Sequence, residues 1–128
     1  MTDERELPHP GKRVEKPWGY EIIWATTDRY VGKILHIEAG EALSLQYHEV
    51  KEETLRLLAG RLRLDVGDHE SALTTLELGP GETIHMPPQR RHRLTALEAC
   101  DVLEVSTPEL DDVVRLSDRY GREGTKTP

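Results

Sequence analysis

The chain has 128 residues, enough for one domain with a modest core and no need of covalent staples. Its 24 acidic and 17 basic residues give a net charge of −7, which argues against a general nucleic-acid binder; only the cluster Arg90, Arg91 and Arg93 suits a small anion. Cys100 is the single cysteine, so no intrachain disulfide can form, and no apolar run approaches membrane-spanning length. A charged stretch from Met1 to Glu6 lacks the apolar region of a secretion signal, so a cytoplasmic protein without a membrane partner is expected.

Residues 1–13 carry charges, prolines and a glycine with little to bury, and read as an extended or disordered arm. A single domain is expected over 14–122, with a disordered tail at 123–128. Inside the domain, β-type runs at 20–25, 30–37, 43–48, 54–58, 61–66, 73–78, 83–86, 92–97 and 102–106 alternate with turn signals. Ala39-Gly40, Ala59-Gly60, Gly67-Asp68, Gly79-Pro80-Gly81 and Pro87-Pro88 supply the breaks. This rhythm predicts an all-β sandwich or barrel. A helix competes only at 109–118, where Asp111-Asp112 suit a helix N-terminus.

Side chains two apart on a strand share a face. In the run 42–48, Ala42, Ser44, Gln46 and His48 fall on one face, and Leu43, Leu45 and Tyr47 on the other. Two small residues thus lead to two potential ligands. Glu53 shares a face with Leu55 and Leu57, and a carboxylate on an apolar stripe needs a partner, for which a metal ion is suited. His92 follows the turn Pro87-Pro88-Gln89-Arg90-Arg91. Each residue alone also has an ordinary reading: a lone strand histidine is more often a hydrogen-bonded structural group, and Glu53 beside Glu52 more often a solvated hairpin tip.

The spacings Gly40-x5-Gln46-x-His48-x4-Glu53-x6-Gly60 and Gly81-x5-Pro87-x4-His92 resemble the two cupin motifs. The resemblance implies a single-domain cupin jelly-roll β-barrel, with Gln46, His48, Glu53 and His92 holding one divalent transition metal in its mouth. Zinc is the first choice, with Mn, Fe, Co and Ni compatible with the nitrogen and oxygen donors. Most cupins have histidine where Gln46 stands, glycine where Gln89 stands and asparagine where Ala96 stands.

Two further stretches, Lys16-Pro17-Trp18-Gly19-Tyr20-Glu21 and the closing run from Asp111 to Arg122, resemble the type II mannose-6-phosphate isomerase domain, as do Ser44-Leu45-Gln46 and His92-Arg93. In that family the domain often follows a mannose-1-phosphate guanylyltransferase domain; no such segment stands in these 128 residues, and that activity is not expected of them. The resemblance implies interconversion of mannose 6-phosphate and fructose 6-phosphate through an enediol. Arg115 and Lys33 are the expected catalytic residues, and Arg115 and Arg93 the expected substrate contacts. A salt bridge to Asp111, Asp112 or Asp118 is the equal alternative for Arg115, and Arg93 is expected to point away from the metal as an anion-binding or supporting group. Lys33 is expected to bind phosphate or, if buried, to carry a proton, and its strand face is open. Glu49-Val50 and Thr54 replace histidines common in the family and are expected to make the pocket more acidic.

Trp18 and Tyr20 are expected to pack rather than line a sugar site, and His9, His36, His69 and His85 to stay off the metal. The partner is a small molecule, by resemblance a phosphorylated sugar. The apolar outward face Leu43, Leu45, Tyr47 suggests a homodimer. Two other functions stay open: a non-catalytic cupin holding a small sugar or carboxylate, and an iron-dependent dioxygenase.

Overall fold

The computed structural model describes residues 7–125. The expectations for residues 1–6 and 126–128 lie outside the described residues. Twelve strands follow in chain order: β1 Lys12–Lys16, β2 Gly19–Thr26, β3 Val31–Ile37, β4 Leu45–Tyr47, β5 Glu53–Ala59, β6 Leu62–Gly67, β7 Thr74–Leu78, β8 Thr83–Met86, β9 Arg91–Ala96, β10 Cys100–Ser106, β11 Val114–Ser117 and β12 Gly124–Thr125. They form two antiparallel six-stranded sheets in the orders β1-β2-β3-β10-β5-β8 and β12-β11-β4-β9-β6-β7. The expected all-β jelly-roll is the fold found.

Alternation explains the core. On β6, Leu62, Leu64 and Val66 are buried, and they pack with Leu35 and Ile37 of β3, Leu55 and Leu57 of β5, Leu94 of β9 and Val102 of β10. These residues come from both sheets, so the core is the layer between them. Turns sit where the sequence punctuates: at Gly60 the backbone has φ +92, and an added Cβ would lie 2.1 Å from the carbonyl oxygen of Ala99.

Several details differ from expectation. No helix forms among the described residues, and hence none long and apolar enough to cross a membrane. The segment read as a possible helix turns at Leu110 and Asp111 and then becomes β11, because the inward Arg115 is held in a strand beside β4. β1 starts at Lys12 inside the expected arm and pairs with β2 along its whole length. Gly124 and Thr125, expected in the tail, pair with β11. Regular alternation starts only at Leu45, so Leu43 turns inward to line the central cavity instead of facing out. Leu45 is buried by the chain itself, and Tyr47 lies under the guanidinium of Arg91 at 3.9 Å. This face therefore supplies no reason for a second subunit.

Candidate metal centre and cavity

Strand register brings the expected ligands together from both sheets. Gln46 on β4 lies directly opposite His92 on β9, and on its other side opposite Arg115 on β11. His48 follows β4, and Glu53 opens β5 in the facing sheet. His48, Glu53 and His92 are all buried, and each offers a ligand atom within 4.8 Å of the others. The Glu53 Oε1 atom lies 3.4 Å from His48 Nε2 and 3.2 Å from His92 Nε2.

The tautomers follow from the partners on the far side of each ring. His48 Nδ1 donates to the main-chain carbonyl of Asp112 at 2.6 Å, and His92 Nδ1 donates to that of Arg90 at 3.0 Å. A carbonyl can only accept, so each Nδ1 carries a proton, and the neutral ring able to ligate a metal turns its Nε2 lone pair toward Glu53. His48 Nε2 is buried without a hydrogen bond. Two lone pairs and a carboxylate oxygen thus converge with no proton between them, an arrangement that is costly without a cation and that fits a divalent metal. Gln46 lines the same cavity, and its Oε1 accepts from Ser44 Oγ at 2.6 Å, which leaves one lone pair on that oxygen for a metal.

Behind the cluster, Lys51 Nζ stands 3.3 Å from Glu53 Oε2 and 3.3 Å from Glu104 Oε2. Burial alone would raise the Glu53 carboxyl, but the ammonium of Lys51 leads the groups that hold it well below the usual carboxylate range. Burial, reinforced by the charge of Glu53, raises the Glu104 carboxyl despite Lys51 and Lys33. Burial opposes the charge of Lys51, but Glu104 and Glu53 prevail and raise its pKa.

The same cavity is lined by several cationic side chains. Lys33 faces inward, almost wholly buried, with its ammonium 3.4 Å from Glu21. Lys16 Nζ is 3.8 Å from the same carboxylate. Burial, with Lys33, Arg122 and Arg115 nearby, lowers the Lys16 ammonium although Glu21 opposes the shift. Arg115 is buried on the same lining, and Arg122 beside it is tied to Asp118 at 2.8 Å. In all, five cationic side chains and three carboxylates face this cavity, a balance that favours an anion.

The remaining expected residues fall elsewhere. Arg93 is not on the cavity lining; its Nε bonds Asp65 Oδ2 at 3.1 Å on the other side of β9. Glu49, Val50 and Thr54 do not line the cavity either, so the substitutions there leave it cationic rather than more acidic. His36 stacks on Tyr20 and bonds Asp101, His69 bonds Ser71, and His85 pairs with Glu52, all outside the candidate metal cluster. Trp18 packs in the core and also lines the cavity. Lys16, Glu21, Lys51, Glu104 and Arg122 were not singled out from sequence. For Glu104 the signal was available: it alternates with Val102 on an inward face, as Glu53 does with Leu55.

Two antiparallel sheets closing over a buried His-His-Glu cluster define a jelly-roll barrel with a candidate metal centre. Residues 33–106 match the cupin domain, and the chain belongs to the cupin family. It is 35% identical over 127 residues to the mannose-1-phosphate guanylyltransferase ManC of Salmonella typhimurium, covering 94% of this chain and 25% of that protein. A mannose-1-phosphate guanylyltransferase of Escherichia coli is 37% identical over 127 residues, with the same two shares, 94% and 25%. The chain thus spans about a quarter of the length of these relatives. Among solved structures, KdgF from Halomonas sp. superposes with a TM-score of 0.66 at 19% identity, covering 77% of this chain and 88% of that one, a likeness of fold.

Proposed function

We propose that this cupin is a metal-dependent aldose-ketose isomerase of phosphorylated sugars, with mannose 6-phosphate and fructose 6-phosphate as the first pair to test. The observation that carries the reading is one cavity lined both by a cation-ready cluster and by buried Lys33 and Arg115. Relatives named for mannose 1-phosphate favour a mannose-series substrate. We take the cytoplasm as its compartment.

Gln46, His48, Glu53 and His92 would hold one divalent ion, zinc first, which when bound supplies Lewis-acid stabilisation of negative charge developing on the oxygens at C1 and C2. The chain's own groups do the rest. Lys33 and Arg115 hold the phosphate, and the fork of Arg115 orients it. Lys16 and Arg122 add positive charge behind them. Burial between two sheets keeps bulk water from the enediol stage.

The test is a metal-loaded preparation given mannose 6-phosphate or fructose 6-phosphate and followed by NMR. Interconversion in both directions is expected. Unchanged starting material across a panel of hexose phosphates would overturn the reading.

A further inference from the structure

Glu104 lines the cavity beside both Lys33 and Lys51. On β10 it lies opposite Lys33 of β3 on one side and Leu55 of β5 on the other, so it shares their inward row. Its residue is only 5% exposed. Lys51 bonds Oε2 and ties Glu104 to Glu53 through one shared ammonium. Oε1 takes no hydrogen bond from the described residues. Glu104 thus stands on the cavity wall between Lys33, opposite it on β3, and Glu53, joined to it through Lys51.

The other proton acceptors of the cavity are engaged. Glu21 is held by Lys33 and Lys16. Glu53 faces both imidazoles and Lys51. His48 and His92 have Nδ1–H tied to main-chain carbonyls and turn Nε2 into the cluster. Glu104 is the remaining carboxylate on the lining.

Resting on the isomerase reading, we propose that Glu104 is the base that moves the proton between C2 and C1. Its carboxylate takes the hydrogen from C2 of the aldose as a proton. The C2–H electron pair becomes the C1=C2 bond of the enediolate, and the carbonyl pair moves onto O1. The carboxylic acid then returns a proton to C1, the hydroxyl proton of O2 passes to O1, and the C2=O bond of the ketose forms. Atoms and electrons balance without an oxidant. Burial disfavours the charged carboxylate and raises its pKa, which favours a carboxylate that accepts a proton and gives it back.

The experiment compares metal-loaded wild type, Glu104→Gln and Glu104→Asp in D2O, reading kcat, KM, metal content and deuterium entry at C2 of recovered mannose 6-phosphate. The glutamine variant is expected to keep metal content and KM within about threefold, while kcat and deuterium entry fall by about 10³. The aspartate variant keeps the charge beside Lys51 but withdraws the carboxylate by one methylene, and its kcat is expected to fall by about 10²-fold with metal retained. A mere counterion to Lys51 would leave kcat and exchange unchanged in the aspartate variant, so that result overturns the assignment even if the glutamine variant does not fold. Wild-type exchange in the glutamine variant overturns it as well, while the isomerase reading stands. An inactive wild type defeats the isomerase reading, and the role of Glu104 falls with it.

Discussion

His48 Nδ1 donates to the main-chain carbonyl of Asp112 at 2.6 Å, while the Asp112 carboxylate accepts the N–H groups of Glu49, Val50 and Lys51. One residue therefore fixes the ring of a candidate ligand and the loop carrying Lys51 to Glu53. Partners of this kind set the tautomer and aim of a ligating imidazole. Asp112→Ala keeps the carbonyl on His48 but frees the loop carrying Lys51 to Glu53, and is expected to cost about 2 kcal/mol of stability and to weaken metal binding by about tenfold through Glu53, measured by urea unfolding and metal titration.

The same carboxylate gives a pH signature. Burial would raise its pKa, but the three N–H groups outweigh burial and lower it. A group with a depressed folded pKa stabilises the fold fully above its unfolded pKa, about 3.9, and loses that contribution as pH falls through the lower folded value. The stability difference between wild type and Asp112→Asn is thus expected to hold at neutral pH and to shrink below about pH 4, read by urea unfolding along a pH series.

Gln46 supplies the weakest donor of the candidate set, an amide oxygen already bonded by Ser44. Gln46→His, the residue usual in cupins, is expected to tighten zinc by about tenfold, whereas Gln46→Leu weakens it. Competition with a chromophoric chelator measures both.

Among the cationic lining residues, Arg115→Gln and Lys33→Gln are expected to raise KM for a hexose phosphate by about 30-fold. Arg93 is bound to Asp65 off the cavity, so Arg93→Gln is expected to lower the melting temperature and leave KM within about twofold. Steady-state kinetics on the three variants separates these outcomes.

Two backbone positions make opposite predictions for thermal unfolding. Gln89 has φ 71, a left-handed conformation that a side chain disfavours, and its N–H reaches the carbonyl of His48. Gln89→Gly is expected to relieve about 1 kcal/mol of that strain. At Gly60 a Cβ would collide with Ala99, and Gly60→Ala is expected to cost about 3 kcal/mol or more.

The strand rhythm was legible because turn residues punctuate two-residue alternation, and nine expected runs all became strands. His48, Glu53 and His92 were legible through motif spacing, since local register determines which side chains share a face. The glycine usual at position 89 also has a physical reason in the backbone found there. What stayed hidden depends on pairings distant in sequence. Asp112 reaches back 64 residues to His48, and Lys51 joins Glu53 to Glu104 across 53. The inward turn of Leu43 was hidden too, because alternation there begins two residues late.

The most direct test of the metal centre is elemental analysis of the purified chain beside a Gln46→Ala, His48→Ala double variant. The arrangement of Nε2 lone pairs around Glu53 predicts about one divalent transition metal per chain in the wild type, lost in the double variant. A double variant that keeps a full metal load, or a wild type that takes up none when divalent metal is supplied, would contradict the account.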